Sequence, residues 1–356
     1  MKIIFISLIR MNYDSAICNL LKKRGGKPMK KRAMVLAVLM VVIFCFPAFG
    51  AENATRVIRV GHIQNLDHPI HLALLKFSEI VKTKSGGSLE VQVFPNSQLG
   101  SAITMVQSVK SGALDGFVDG VGWYGQYVGD YFLPATAYAM KDINQVVRLM
   151  NSPIGQDMAD KLLKQHGLKV INQTWIRMPR QLLSKRPIKT PDEVKGTKLR
   201  IPELASYVVP WKELGASPTP IALAEVYLAL QQGVVDACEL PIDMIYTQKL
   251  HEVAKYLVLT AHQSEPSGFI LNGRLFDSLT PKEQKIILDA AKEAGAYNDK
   301  LSIAMEKDLV EKMKKSGTTF IEVNREDFRN KVKNAPYILE DKGVWPKGLY
   351  DRAKKI

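Results

Sequence analysis

The sequence predicts an α/β protein of two similar lobes braced by a long helix, on three observations. Apolar patterns of period two alternate with patterns of helical period along most of the chain. Two distant segments, Gln107 to Asp115 and Leu230 to Asp236, share one signature: a helix that stops at glycine and enters a strand through aspartate. A capped amphipathic stretch opening at Thr280 runs too far for one ordinary core and suits a brace between lobes.

The chain opens on a segment expected to be removed. Lys30-Lys31-Arg32 precedes an apolar run from Ala33 to Cys45, then Phe46-Pro47-Ala48-Phe49-Gly50-Ala51. That order is a basic region, an apolar region short for a bilayer and a small-x-small cleavage site after about Gly50 or Ala51. Residues 1–51 therefore read as a leader; an uncleaved anchor helix is the alternative. Met29 opens this segment, so the stretch before it reads as an over-extended gene start. Phe44 before Cys45 is too bulky for lipoprotein processing.

Removing the leader changes two arguments. The formal charge is +14, but residues 1–50 hold nine Lys/Arg and one Asp, which leaves +6 on the rest. No basic run is interleaved with aromatics, so nucleic acid is not the expected partner, while a mild positive excess suits attraction of anions. Cys18 and Cys45 also leave with the leader, and Cys238 alone cannot form an internal disulfide.

The elements then follow in order. Val57 to Gly61 reads as a strand, and Leu72, Leu74, Leu75, Phe77, Ile80 and Val81 keep helical spacing after Pro69. Leu89 to Phe94 alternates as a strand, and a helix is expected from about Ser101 to Ser111. This alternation argues for a largely parallel sheet. Glycine ends both echoing helices because it accepts the left-handed conformation at C′; any α/β protein reuses that punctuation, so duplication is one of two readings. Thr190-Pro191-Asp192-Glu193 and Thr280-Pro281-Lys282-Glu283 each place a threonine cap, proline at N1 and glutamate at N3. The second opens the long helix, with Ile286, Ile287, Ala290, Ala291 and Ala294 on one face, and Ser316-Gly317 stops it.

Three motifs carry possible chemistry. Gly120-Val121-Gly122-Trp123-Tyr124-Gly125 matches GxGxxG, but Gln126 to Asp130 opens no helix, so a dinucleotide site is not expected. A strand-end loop at a cleft, with Trp123 or Tyr124 facing a ligand, fits better. His62, His68 and His71 lack the carboxylate or cysteine that would close a metal shell, and His68 reads as a helix entrance. No metal or cofactor is expected. Arg180 in an alternating strand, and Arg200 in Lys198-Leu199-Arg200-Ile201-Pro202, each place a guanidinium on an inner strand. Such a charge needs an anion: a bidentate ligand carboxylate, or an internal Asp or Glu.

The run from Arg180 to Pro241 resembles the signature region of the TRAP-transporter solute receptors. It carries Thr190 to Pro202, Gly215-Ala216-Ser217-Pro218-Thr219-Pro220 and Glu225 to Asp236. Gly61, Pro95 to Gly100, Gly112 to Asp115, Gln248 to Tyr256 and His262 extend the similarity over most of the chain. The resemblance implies a two-lobed periplasmic binding protein fold, with residues 52–177 and 266–305 in lobe I and residues 178–265 and 306–356 in lobe II. It implies Arg200 as the main carboxylate clamp, Arg180 assisting, Leu223 packing beside the ligand, and Leu240 where the family commonly has an asparagine touching the carboxylate. Glu239 and Trp123 complete the candidate ligand set, with Trp175 and Arg177 as further candidates.

Two departures stand out. Asp236-Ala237-Cys238-Glu239-Leu240-Pro241 replaces the usual DGQENP, and Pro134-Ala135 replaces a Pro-Phe pair. They favour a monocarboxylate with an apolar or aromatic body over a plain C4-dicarboxylate. The resemblance thus implies a periplasmic receptor, not an enzyme, that hands an organic acid to TRAP membrane subunits. A binding protein of an ABC importer or sensor, and a secreted α/β enzyme on an anionic substrate, are the alternatives; the sequence offers no acid/base pair for the latter.

Overall fold

Two mixed sheets organise residues 55–356, the residues that the computed structural model of the protein describes. The leader expected over residues 1–51, with Cys18 and Cys45, lies outside them. The first sheet takes β1 (Arg56–Gly61), β2 (Leu89–Phe94), β3 (Gly116–Gly120), β4 (Leu168–Trp175) and β10 (Ser267–Asn272), in the order β2-β1-β3-β10-β4. The second takes β5 (Arg180–Ser184), β6 (Lys198–Ile201), β7 (Ser217–Pro220), β8 (Ala237–Pro241), β9 (Tyr256–Gln263) and β11 (Thr319–Ile321), in the order β11-β9-β5-β8-β6-β7.

The expected parallel sheets are parallel but for one strand each. β10 runs against β3 and β4, and β5 runs against β8 and β9. Each reversed strand is the first laid down after the chain crosses from the other sheet, through residues 176–179 and 264–266. Setting β10 beside β5, the first sheet and five strands of the second follow one order: second, first, third, reversed, fourth, with β11 added at the edge of the second. The echoing segments lead into β3 and β8, which hold the same place in that order.

The helices follow from their caps. They are α1 (Pro69–Lys84), α2 (Ala102–Ser111), α3 (Ile143–Asn151), α4 (Pro153–His166), α5 (Ala205–Glu213), α6 (Val226–Gln231), α7 (Ile242–Thr247), α8 (Gly273–Asp277) and α9 (Pro281–Lys315), with three short helices after β11. The His68 and Ser101 side chains accept backbone N–H bonds at the starts of α1 and α2. Gly112 closes α2 at φ +86°, and Gly233 follows α6 at φ +76°. Thr280 and Glu283 form a reciprocal capping box on α9. The similar start at Thr190 makes only a single 3₁₀ turn, Pro191–Val194. There the Glu193 carboxylate accepts from the Lys189 N–H instead of the cap, and Gly196 at φ +75° ends the turn.

α9 is 35 residues long and packs against α1 beside the first sheet and α7 beside the second. Its Ile287, Ala290, Ala291 and Ala294 are fully buried. Gly295 meets the Trp175 indole, whose Nε1 donates to the Ala291 carbonyl at 3.1 Å. None of the described helices is long and apolar enough to cross a membrane.

Candidate functional site

A cavity of about 280 Å³ opens between the two sheets, at the carboxyl ends of β1, β3, β6 and β8. Open α/β sheets place ligands there, because the loops leaving the strands can turn polar groups toward one crevice. Ile63, Ser97, Asp119 and Trp123 line it from the first sheet. Arg180, Arg200, Tyr207, Leu223, Leu240 and Met244 line it from the second, and the two crossings add Arg177 and Glu265.

The three arginines differ in what holds them. Arg180 on β5 is 5% exposed and gripped by Glu239 on neighbouring β8. Its Nη2 donates to Glu239 Oε1 at 2.8 Å and to the Glu239 carbonyl at 2.7 Å, and its Nε donates to Oε2 at 2.5 Å. The Tyr207 ring lies 5.2 Å beneath the guanidinium. His262 Nε2 meets Glu239 Oε2 at 3.1 Å, while its Nδ1 meets Thr260 Oγ1 at 2.8 Å. Burial alone would raise the Glu239 pKa, but Arg180 and His262 outweigh it and hold the carboxyl below its usual range. Burial keeps His262 below its usual value despite Glu239, so its neutral form donates from Nε2.

Arg177 pairs with Asp119 at 3.1 Å, both buried, and Gln64 Nε2 donates to the same carboxylate at 2.7 Å. Arg200 has no such partner among the described residues. It is 2% exposed, its Nε donates to the Ile221 carbonyl at 2.9 Å, and its buried Nη1 has no hydrogen-bond partner among the described residues. Burial pulls its pKa down to about 10, against the pull of Glu239. A guanidinium that is buried, cationic and unmatched can take a carboxylate. Arg180 has the internal pair that the sequence left open, as does Arg177, and Arg200 has none among the described residues.

The other sequence candidates divide. Trp123, Leu223 and Leu240 line the cavity, whereas Glu239 stands behind Arg180 and reaches it only through that side chain. Trp175 does not line it; the indole is buried against α9 and Phe269, because the end of β4 faces the long helix. Tyr124 is also turned inward, edge-on to Tyr131, and leaves the loop's cavity face to Trp123. Cys238 is buried, and burial pushes its thiol up to about 12, so it is no nucleophile. No cluster able to hold a metal occurs among the described residues. His62 and His71 instead bond each other at 3.0 Å, and Gln64 N–H donates to His62 Nδ1.

Asp119, Tyr207, Met244 and Glu265 were not singled out from the sequence. Glu265 gives the only clear signal in hindsight: an acid one residue before Pro266, between two apolar strands. The first two glycines of the GxGxxG match serve it. A Cβ at Gly122 would lie 2.7 Å from Glu265 Oε1, and one at Gly120 would meet both Glu265 and Arg177.

The family model of the bacterial extracellular solute-binding proteins, family 7, matches residues 60–337. An uncharacterized protein of Haemophilus influenzae is 33% identical over 304 residues, 85% of this chain and 90% of its own length. The 2,3-diketo-L-gulonate-binding periplasmic protein YiaO of Escherichia coli is 29% identical, over 86% of this chain and 93% of its own. Among solved structures, a TRAP periplasmic solute binding protein from Actinobacillus succinogenes with bound L-galactonate superposes with a TM-score of 0.80. It is 31% identical and covers 84% of this chain and 98% of its own.

Proposed function

Because this chain belongs to family 7 of the bacterial extracellular solute-binding proteins, the TRAP-transporter receptors that bind organic acids, we propose that Arg200 is the clamp for the ligand carboxylate. The observation that carries this is the buried, unmatched guanidinium of Arg200 at the cavity wall. Arg180 takes a secondary part: two of its three nitrogens are held by Glu239, so it adds field and shape more than free donors. Leu223, Leu240 and Trp123 supply apolar contact to the body of the ligand. Leu240 cannot donate the hydrogen bond an asparagine would, which supports a monocarboxylate held by arginine alone at that end.

We further propose residues 52–177 with 266–305 as lobe I and residues 178–265 with 306–356 as lobe II, a division supported by the sheet membership of the strands. The acid enters the open cleft, and closure expels water and strengthens the ion pair at Arg200. The closed form is then read by TRAP membrane subunits outside the cytoplasm. This is a receptor cycle with no chemical step, in keeping with relatives that are solute-binding proteins.

A thermal-shift panel of organic acids, each beside its methyl ester, tests the clamp. An acid at about 100 times Kd adds about 2.7 kcal/mol to stability, a shift of several degrees. The ester should give no shift, and Arg200→Ala should weaken acid binding by about 2–5 kcal/mol. Equal affinity of that variant would remove the clamp.

A further inference from the structure

Arg177, Arg180, Arg200, Asp119 and Glu265 all line the cavity, and Glu239 stands behind Arg180, which it holds as an ion pair. Arg177 pairs with Asp119, so Glu265 is left with no ion pair among the described residues. Resting on the carboxylate reading above, we propose that Glu265 reads a hydrogen-bond donor, a hydroxyl or an ammonium, on the ligand.

The Glu265 side chain is built for such a task. It is 4% exposed, lines the cavity and sits on the second crossing. It is oriented from both sides: the Gly122 N–H donates to Oε1 at 2.6 Å, while Gln263 Nε2 at 3.1 Å and the Tyr207 hydroxyl at 3.3 Å reach Oε2. A carboxylate offers about four lone-pair sites, so one acceptor site is left for a ligand. Burial raises its pKa, with Arg177 and Arg180 opposing, which is the mark of an acid whose charge is not fully matched. Two further carboxylates, Glu203 and Glu225, lie at the cavity wall, but the first is half-buried and the second exposed, where water screens them.

An acid with no donor would leave the fourth acceptor site of Glu265 dehydrated and unfilled, which costs free energy in a buried carboxylate. The cavity therefore discriminates by what Glu265 must satisfy, while Ile63, Leu223, Leu240 and Met244 give it an apolar wall. A hydroxy acid and a zwitterionic amino acid both meet the demand, and an alkyl acid does not.

Calorimetry with matched pairs tests this on the unaltered protein: D-erythronate against butanoate, pantoate against 3,3-dimethylbutanoate, and 4-aminobutanoate against butanoate. We expect the donor-bearing member of at least one pair to bind about ten- to a hundredfold more tightly. Erythronate or pantoate winning identifies a hydroxyl, and 4-aminobutanoate winning identifies an ammonium. Glu265→Gln, checked for an unchanged fold by circular dichroism, should erase most of that preference and leave the alkyl acid as weak as before or tighter. Alkyl acids binding as well as their partners, or a preference intact in Glu265→Gln, overturns the proposal while leaving the Arg200 clamp standing. Acids of both kinds binding no more tightly than their methyl esters overturns the clamp and this proposal together.

Discussion

At the scale of the residue, the site depends on which buried charges are already answered. Arg180 and Glu239 form a buried pair with two short bonds, so removing one partner leaves the other as an uncompensated charge. Glu239→Ala is expected to cost about 3–5 kcal/mol in urea unfolding; a loss below 1 kcal/mol would mean that water solvates the freed Arg180. His62 gives a second test. Burial, then His71 and His68, hold its pKa down at about 3, against an ordinary value of 6.5. The unfolded chain therefore binds a proton that the folded chain refuses anywhere between those values. Stability is lost as pH falls through that window, by about 2 kcal/mol for this group between pH 7 and pH 5. His62→Gln should flatten that loss; an unchanged slope would put the proton elsewhere. The arginines were legible because a guanidinium on an apolar strand demands an anion. Their partners were not: Glu239 and Asp119 meet them only after distant strands pair, and periodicity assigns faces without assigning neighbours.

At the scale of the element, strands and long helices were readable from local chemistry, and their exceptions have local causes. The capping box at Thr280 announced α9, yet the same letters at Thr190 gave one turn, because Glu193 found the Lys189 N–H and Gly196 broke the chain. The two reversed strands could not be read, since direction is set by where the chain crosses and not by side-chain period. Gly295, in mid-helix, looks like a defect worth about 1 kcal/mol against alanine. Its place is explained by Trp175: a Cβ there would stand 2.5 Å from indole Cδ1. Overpacking costs about 1–3 kcal/mol, more than the gain in helix propensity. Gly295→Ala should thus lower the melting temperature. A rise would show that the indole can move aside, and with it the contact between β4 and the brace.

At the scale of the whole molecule, the question is what holds the two sheets at this angle around an anion. Besides α9 and the crossings, one set of contacts joins the connection after β1 to α7, the helix after β8. Asn65 Nδ2 donates to the Thr247 carbonyl, Gln248 Nε2 donates to Asn65 Oδ1 at 3.0 Å, and His68 Nε2 lies 3.3 Å from the Asp243 carboxylate. Asp243 is buried, which would raise its pKa, but His68 and Arg177 hold it below its usual range, so it stays an anion. These bonds sit beside the cavity, next to Met244 in its wall, and form only when the connection and α7 approach. On the proposed closing cycle, ligand affinity is the sum of contacts in the cavity and of closure contacts that the ligand does not touch. Asp243→Asn keeps the shape, removes the charge that faces His68 and leaves Arg200 in place. It should weaken acid binding about three- to tenfold, a loss of about 1 kcal/mol. Solution scattering of the unliganded variant should also show a larger radius of gyration than the parent. Weakened binding with an unchanged radius would make Asp243 part of the cavity's field alone. Unchanged affinity and radius would mean that the crossings and α9 set the angle, and that closure owes nothing to this edge of the cleft.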